Sequence, residues 1–264
     1  MGSPITSSDL WRQVLAAPDD AEPRARYVDT LLQEGDRRAE PFLVGAEIER
    51  RKQDLETRRT GFLVKHYEQL IRVAAEEFTG FLERWDAKLS FVFGWPSEIT
   101  LTAAGFITHA AEIVATIPLR HLNLLSVNPA PEVFKLPQFS QIVSLQANEQ
   151  VWSNNAIRAL TGSPYLGALR WLNLSKTGLS DKQIDMLAAA VNLRVLAQID
   201  LTRNNNCRDP VDAAITYDGV TGTMVVESVY LNPFGRELES KYGRIQWLHV
   251  WSTYAEFPLD RYRF

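Results

Sequence analysis

The sequence predicts an α/β chain: an N-terminal helical module, then a stack of about seven short parallel strands with helical returns. Two observations carry this. Apolar residues recur at helical spacing through the first third of the chain. From about residue 96, strand-like pieces alternate with helix-like pieces every 20 to 30 residues, the period of a stacked repeat array. The expected division is 1–60 for a helical module, 61–95 for a helical cap or linker, and 96–264 for the repeats.

The helical elements come first. Ser7 or Ser8 can cap a helix carrying Leu10, Trp11, Val14 and Leu15 on one side, and Pro18 stops it. A second helix starts near Pro23, carries Tyr27, Val28, Leu31 and Leu32, and ends at Gly35. Phe42, Leu43, Ala46 and Ile48 open a third. Arg50 to Arg59 reads as a solvated charged face because Asp54 and Glu56 interleave its basic residues. From Phe62 to Trp85, Leu63, Tyr67, Leu70, Ile71, Ala74, Phe78, Phe81 and Leu82 hold helical spacing.

The repeats follow. The clearest unit is Leu169-Arg-Trp-Leu172-Asn-Leu174, with apolar residues at positions 1, 4 and 6. The same pattern starts at Pro96, Leu119, Ile142, Leu196, Val226 and Ile245. This is the pattern of a leucine-rich-repeat solenoid. Each strand turns its apolar side chains inward and supplies one rung of a parallel sheet, and no unit can bury its own core without neighbours. Helical apolar spacing marks the returns: Ile113, Val114 and Ile117, then Ile184, Leu187 and Val191. Long helical returns place the strands on the concave side. Position 9 is Val127, Gln150, Thr177, Asn204 and Phe234 in successive units, so no regular asparagine ladder is expected. Gly219 to Gly222 reads as a surface loop.

Alternate side chains of a strand point to opposite faces. With positions 4 and 6 inward, positions 3 and 5 face out. Position 3 is Glu98, His121, Ser144, Trp171, Gln198, Ser228 and Trp247; position 5 is Thr100, Asn123, Gln146, Asn173, Asp200, Tyr230 and His249. Aromatic residues gather in the later units, as in a protein-binding hot spot. The candidate partner-binding residues are therefore Trp171, Asn173, Asp200, Tyr230, Trp247 and His249. The competing arrangement has the tail Tyr254 to Phe264 folded over them. Trp11, Trp85 and Trp152 are assigned to core or cap.

Composition excludes several functions. The chain has 264 residues, 45% hydrophobic, enough for a sizeable core. A net charge of -4 and the absence of lysine or arginine from positions 3 and 5 argue against a nucleic-acid partner. No apolar run reaches the roughly 18 residues of a membrane helix. Met1 to Asp9 lacks the basic-then-apolar order of a secretory signal, so a cytoplasmic location is expected. One cysteine, Cys207, cannot form an internal disulfide or a thiolate zinc site. The four histidines show no metal-ligand spacing, and there is no phosphate loop or nucleophile elbow. No metal or cofactor is expected. Cys207 with His249 as a nucleophilic pair, and Asp19-Asp20 as a cation site, give way to a loop cysteine and a helix cap. Asn204-Asn205-Asn206 reads as a tight turn.

Leu15-Ala-Ala-Pro-Asp-Asp-Ala-Glu-Pro-Arg24, continuing through Tyr27-Val-Asp29-Thr-Leu31 to Gly35-Asp36, resembles the repeat-companion domain, a helical module that precedes many bacterial leucine-rich-repeat proteins. Pro18, Asp19, Asp20, Arg24, Asp29, Leu31, Gly35 and Asp36 carry the resemblance. Thr30 stands where the family has tryptophan, and Ala39-Glu40 where it has Gly-Glu. Phe91 to Leu124 resembles the first repeats of such proteins and Glu237 to Gly243 their terminal segment. The resemblance implies the fold and brings no catalytic residues. The functional expectation is a non-catalytic module that binds a protein or peptide through its concave face, as an inhibitor, immunity or scaffold protein. The alternative is an enzyme with its site between helical module and solenoid.

Overall fold

The computed structural model describes residues 6–50, 60–194, 196–217 and 224–249. It is a mixed α/β chain with a six-stranded, mostly parallel sheet in the order β1-β2-β3-β4-β5-β6 and a separate two-stranded sheet, β7-β8. The strands are β1 (Lys88–Val92), β2 (Trp95–Thr102), β3 (His121–Leu125), β4 (Ser144–Gln146), β5 (Trp171–Asn173), β6 (Gln198–Asp200), β7 (Val211–Tyr217) and β8 (Met224–Leu231). The helices are α1 (Ser7–Ala16), α2 (Ala21–Gln33), α3 (Ala39–Arg50), α4 (Thr60–Glu76), α5 (Thr79–Trp85), α6 (Ala103–Thr116), α7 (Asn154–Thr161), α8 (Asp181–Ala189) and α9 (Pro233–Tyr242). Two compact units result: one runs to Leu101 and takes in Thr108–His121, the other takes Thr102–Ile107 and the chain from Leu122. Among the described residues no helix is long and apolar enough to cross a membrane.

In the first unit, Thr6 rather than Ser7 or Ser8 caps α1. Asp9 at the third helical position completes a capping box, each residue bonding the other's backbone N–H at 3.2 Å. Asp20 caps α2 by accepting from the Glu22 N–H at 3.0 Å. Gly35, at φ +67°, ends it, with the Asp36 N–H returning to the Leu31 carbonyl at 2.8 Å. Leu10, Val14, Tyr27, Leu31 and Ala39 form a buried cluster against which Trp11, Phe42 and Trp95 pack.

The apolar stripe of α3 is rotated from the expected one. Leu43 is 45% exposed, whereas Pro41, Gly45 and Ile48 are buried. Gly45 sets the rotation: a Cβ there would run into the backbone of Phe93 and Gly94, in the turn between β1 and β2. Its missing side chain lets the turn lie directly on the helix.

The expected helix over Phe62 to Trp85 is interrupted near Phe78, giving α4 and α5, and is followed by β1, an antiparallel partner of β2 that the repeat pattern did not reveal. Trp85 is buried, and its indole N–H donates to Glu112 at 2.8 Å.

Tyr67 on α4 accepts the Gly94 N–H at 2.5 Å inside the protein, and burial pushes its phenol up to about 12. An unfolded tyrosine ionises near pH 10. Folding therefore favours the proton-bound form, and this contribution is fully present below pH 10 and lost as pH rises towards 12. Tyr67→Phe leaves a buried N–H unpaired. It is expected to cost about 1–3 kcal/mol at pH 7 and to flatten the loss of stability above pH 10, as read by urea unfolding at each pH. An unchanged alkaline slope counts against this assignment.

In the second unit β4, β5 and β6 are parallel. Ser144, Trp171 and Gln198 stand side by side, as do Leu145, Leu172 and Ile199, and Gln146, Asn173 and Asp200. These are the alignments of the units starting at 142, 169 and 196. The middle row is buried. Helices α7 and α8 are the returns. Ile184 and Leu187 are buried as expected, but Val191 is 72% exposed, in a 3₁₀ turn over Val191–Leu193 beyond α8.

Position 9 links the units despite its mixed composition. Gln150 donates to the Leu124 carbonyl and accepts from the Val127 N–H, each at 2.7 Å. Asn204 accepts from the N–H groups of Thr177 (2.9 Å) and Leu179 (3.1 Å) and donates to the carbonyls of Leu174 (2.9 Å) and Leu201 (2.8 Å). Both amides reach back to positions 6 and 9 of the preceding unit. Asn204 is therefore a buried inter-unit bond, while Asn205 and Asn206 lie in an exposed turn.

Two expected rungs are not rungs. Val226 to Leu231 lies in β8, which pairs with β7 as an antiparallel hairpin. Residues 246–249 form a 3₁₀ turn. Apolar residues at positions 1 and 4 fit three residues per turn as well as a strand, and Ile245 and Leu248 are both buried there. The charged run 51–59, the loop Gly219 to Gly222 and the tail Tyr254 to Phe264 lie outside the described residues.

Candidate functional site

The two outward rows of β4–β6 were expected to face solvent. They are largely buried. Asn173 is 7% and Asp200 6% exposed, and Ser144, Gln146 and Gln198 are also buried; Trp171 is half-buried. Local bonding explains part of this. Asn173 Oδ1 accepts from the Ser175 N–H (2.9 Å) and hydroxyl (2.8 Å). Asp200 Oδ1 accepts from the Thr202 N–H at 2.9 Å. Each side chain folds back onto its own chain in an Asx turn that ends the strand. On β4, Ser144 stands opposite Trp171 of β5 in the strand register.

Ser144 Oγ and Gln146 Nε2 are sealed from solvent and have no hydrogen-bond partner among the described residues. Both lie on β4, one residue to either side of the buried Leu145. A buried polar atom without a partner is costly and calls for an explanation, such as a water or a ligand. Ser144 Oγ can donate or accept and Gln146 Nε2 can donate, so this strip beside Trp171 holds both roles beneath its surface. The sequence places Ser144 and Gln146 on the outward face, outside the candidate set of Trp171, Asn173, Asp200, Tyr230, Trp247 and His249.

The remaining predicted residues do not join the strip as expected. Tyr230 is 53% exposed on β8, opposite Asp212 of β7. Trp247 is 2% exposed in the 3₁₀ turn and fills the core. His249 bonds Glu239 of α9 at 2.8 Å. Burial opposes the charge on Glu239, yet the Ile245 N–H and His249 hold its carboxyl below the ordinary value. These three belong to the closing elements of the second unit, because residues 224–249 leave the repeat geometry.

The alternative chemical centres take structural roles. Cys207 donates to the Asn204 carbonyl at 3.3 Å. Burial, with Asp181 and Asp209, raises its thiol to about 11, the reverse of an activated nucleophile. Asp20 is the cap of α2, and Asp19 pairs with Arg120.

No protein-family model, curated protein or solved structure matches the chain.

Proposed function

We propose that this is a non-catalytic binding protein, built as a leucine-rich-repeat solenoid behind a repeat-companion-like helical module. It holds a protein or peptide segment on the β4–β6 face. The 27-residue register of three parallel strands supports the repeat reading, and so do the position-9 amides of Gln150 and Asn204, each bonding the segment before its own. The observation that carries the binding reading is the pair of unpartnered groups, Ser144 Oγ and Gln146 Nε2, beside half-buried Trp171. Both atoms are closed to solvent, so side chains around the strip would have to move aside; a backbone carbonyl of the bound segment would then accept from Gln146, a backbone N–H would donate to Ser144, and an apolar side chain would cover Trp171. The raised Cys207 thiol supports a role without nucleophilic chemistry.

The test is capture from the source cell extract, with identification of what is held, followed by calorimetry with the purified partner. Trp171→Ala/Gln146→Ala is the probing variant. Trp247 is left intact because removing it would hollow the core. The expected result is loss of a wild-type partner at unchanged melting temperature. Retention of every wild-type partner by that variant, or absence of any specific partner, defeats the reading.

A further inference from the structure

The first unit contains a cavity of about 440 Å³ that the binding reading does not use. One wall is Trp11, Tyr27 and Phe42, from α1, α2 and α3. The other is Phe78, Phe81 and Phe91, from α5, its lead-in and β1. Rings touch within each wall: Trp11 and Tyr27 lie 5.1 Å apart, Tyr27 and Phe42 5.9 Å, and Phe78 and Phe91 6.3 Å. Among the described residues no ring pair spans the two walls. The space they line is walled by rings set at 43° to 79° to one another, with Trp95 packed behind Trp11, Tyr27 and Phe42, and its volume is within the range of ligand pockets.

Polar groups in the lining narrow the ligand. Tyr27 is 6% exposed, and among the described residues no group hydrogen-bonds its hydroxyl. Burial raises its phenol above the ordinary value, so it stays a neutral donor. Arg38 gives Nε and Nη2 to Asp36, at 2.9 and 2.6 Å, which leaves Nη1 as a second donor. Glu77 is an acceptor on the same lining. A carboxylate ligand would meet Glu77, and an ammonium would meet Arg38 and Arg12. A neutral group with one acceptor and one donor matches all three.

We propose that this cavity binds a small planar aromatic carboxamide. The ring lies between the two aromatic walls, the amide oxygen accepts from Tyr27 and Arg38, and the amide N–H donates to Glu77. No bond is made or broken. The site is independent of the β4–β6 strip.

The experiment is calorimetric titration of the full chain with 2-naphthamide, 2-naphthoate and 2-naphthylmethylammonium. The amide is expected to bind saturably with one site, and each charged analogue at least about fivefold more weakly, the worth of one net hydrogen bond. Tyr27→Phe keeps the ring and the packing and is expected to weaken the amide by about fivefold. Ala74→Phe places a ring in the cavity and is expected to abolish binding at unchanged melting temperature. Three results overturn the proposal: no saturable binding of the amide, tighter binding of either charged analogue, or wild-type affinity in Tyr27→Phe. If Ala74→Phe folds and binds normally, the cavity is not the site.

Discussion

Replacing Asn204 with alanine is expected to destabilise the second unit by about 3–5 kcal/mol. The substitution leaves the N–H groups of Thr177 and Leu179 without their acceptor, on residues that are fully buried, while the Leu174 carbonyl keeps the Thr177 hydroxyl at 2.6 Å. Each buried group left unpaired costs about 1–3 kcal/mol, and partial entry of water keeps the sum below the maximum. Gln150→Ala removes two such bonds at a half-buried site and is expected to cost only about 1–2 kcal/mol. Asn204→Asp retains the acceptor but loses the donor and buries a charge. It is expected to be less stable at pH 7 than at pH 4, because the fold favours the protonated carboxyl and stability falls as pH rises. Urea unfolding followed by circular dichroism measures all three. An Asn204→Ala protein within about 1 kcal/mol of wild type would mean that water replaces the amide without loss.

Gly45→Ala is the second large effect, expected at about 2–3 kcal/mol of destabilisation. Alanine is the better helix former by about 1 kcal/mol, so helix propensity alone gives the opposite sign. The added Cβ, however, meets backbone rather than a movable side chain: the Phe93 carbonyl and the Gly94 nitrogen, the latter at 2.7 Å. Forcing atoms into a packed interior costs about 1–3 kcal/mol beyond what it gains. The turn cannot move away freely, because the Gly94 N–H is tied to Tyr67. The two residues should therefore be coupled. Tyr67→Phe and Gly45→Ala together are expected to cost less than the sum of each alone, by about 0.5 kcal/mol or more in a double-mutant cycle. Strict additivity would show that the turn and the tyrosine act independently.

These residues also show how much of the fold was readable. The units starting at 142, 169 and 196 were legible because a buried middle row of Leu145, Leu172 and Ile199 demands an apolar residue at a fixed place. The units at 226 and 245 met the same pattern without the same structure. Val226, Val229 and Leu231 lie in an antiparallel hairpin, and Ile245 with Leu248 in a 3₁₀ turn. The pattern records apolar spacing, not the kind of element that carries it. At position 9, glutamine did the work expected only of asparagine, since its longer chain still delivers one donor and one acceptor. The outward rows were misjudged because Asn173 and Asp200 bond their own backbone, which periodicity cannot show. The first-unit cavity was hidden for a related reason: Trp11, Tyr27 and Phe42 have the spacing of core residues whether their rings meet another side chain or an open space.

The position-9 amides all point the same way, from a later unit to an earlier one. These two side-chain links run one way, but the backbone joins neighbouring strands both ways: the N–H groups of Arg170 and Trp171 donate to Val143, and that of Ala147 donates to Asn173. Shortening the array after Leu174 would expose a row of groups whose donors and acceptors had been cut away. Shortening the sheet from the other side would strip partners too: without Val143, the N–H groups of Arg170 and Trp171 lose their acceptor. Both edges of β4–β6 are therefore committed by backbone bonds, and a cut on either side has to supply new partners for them.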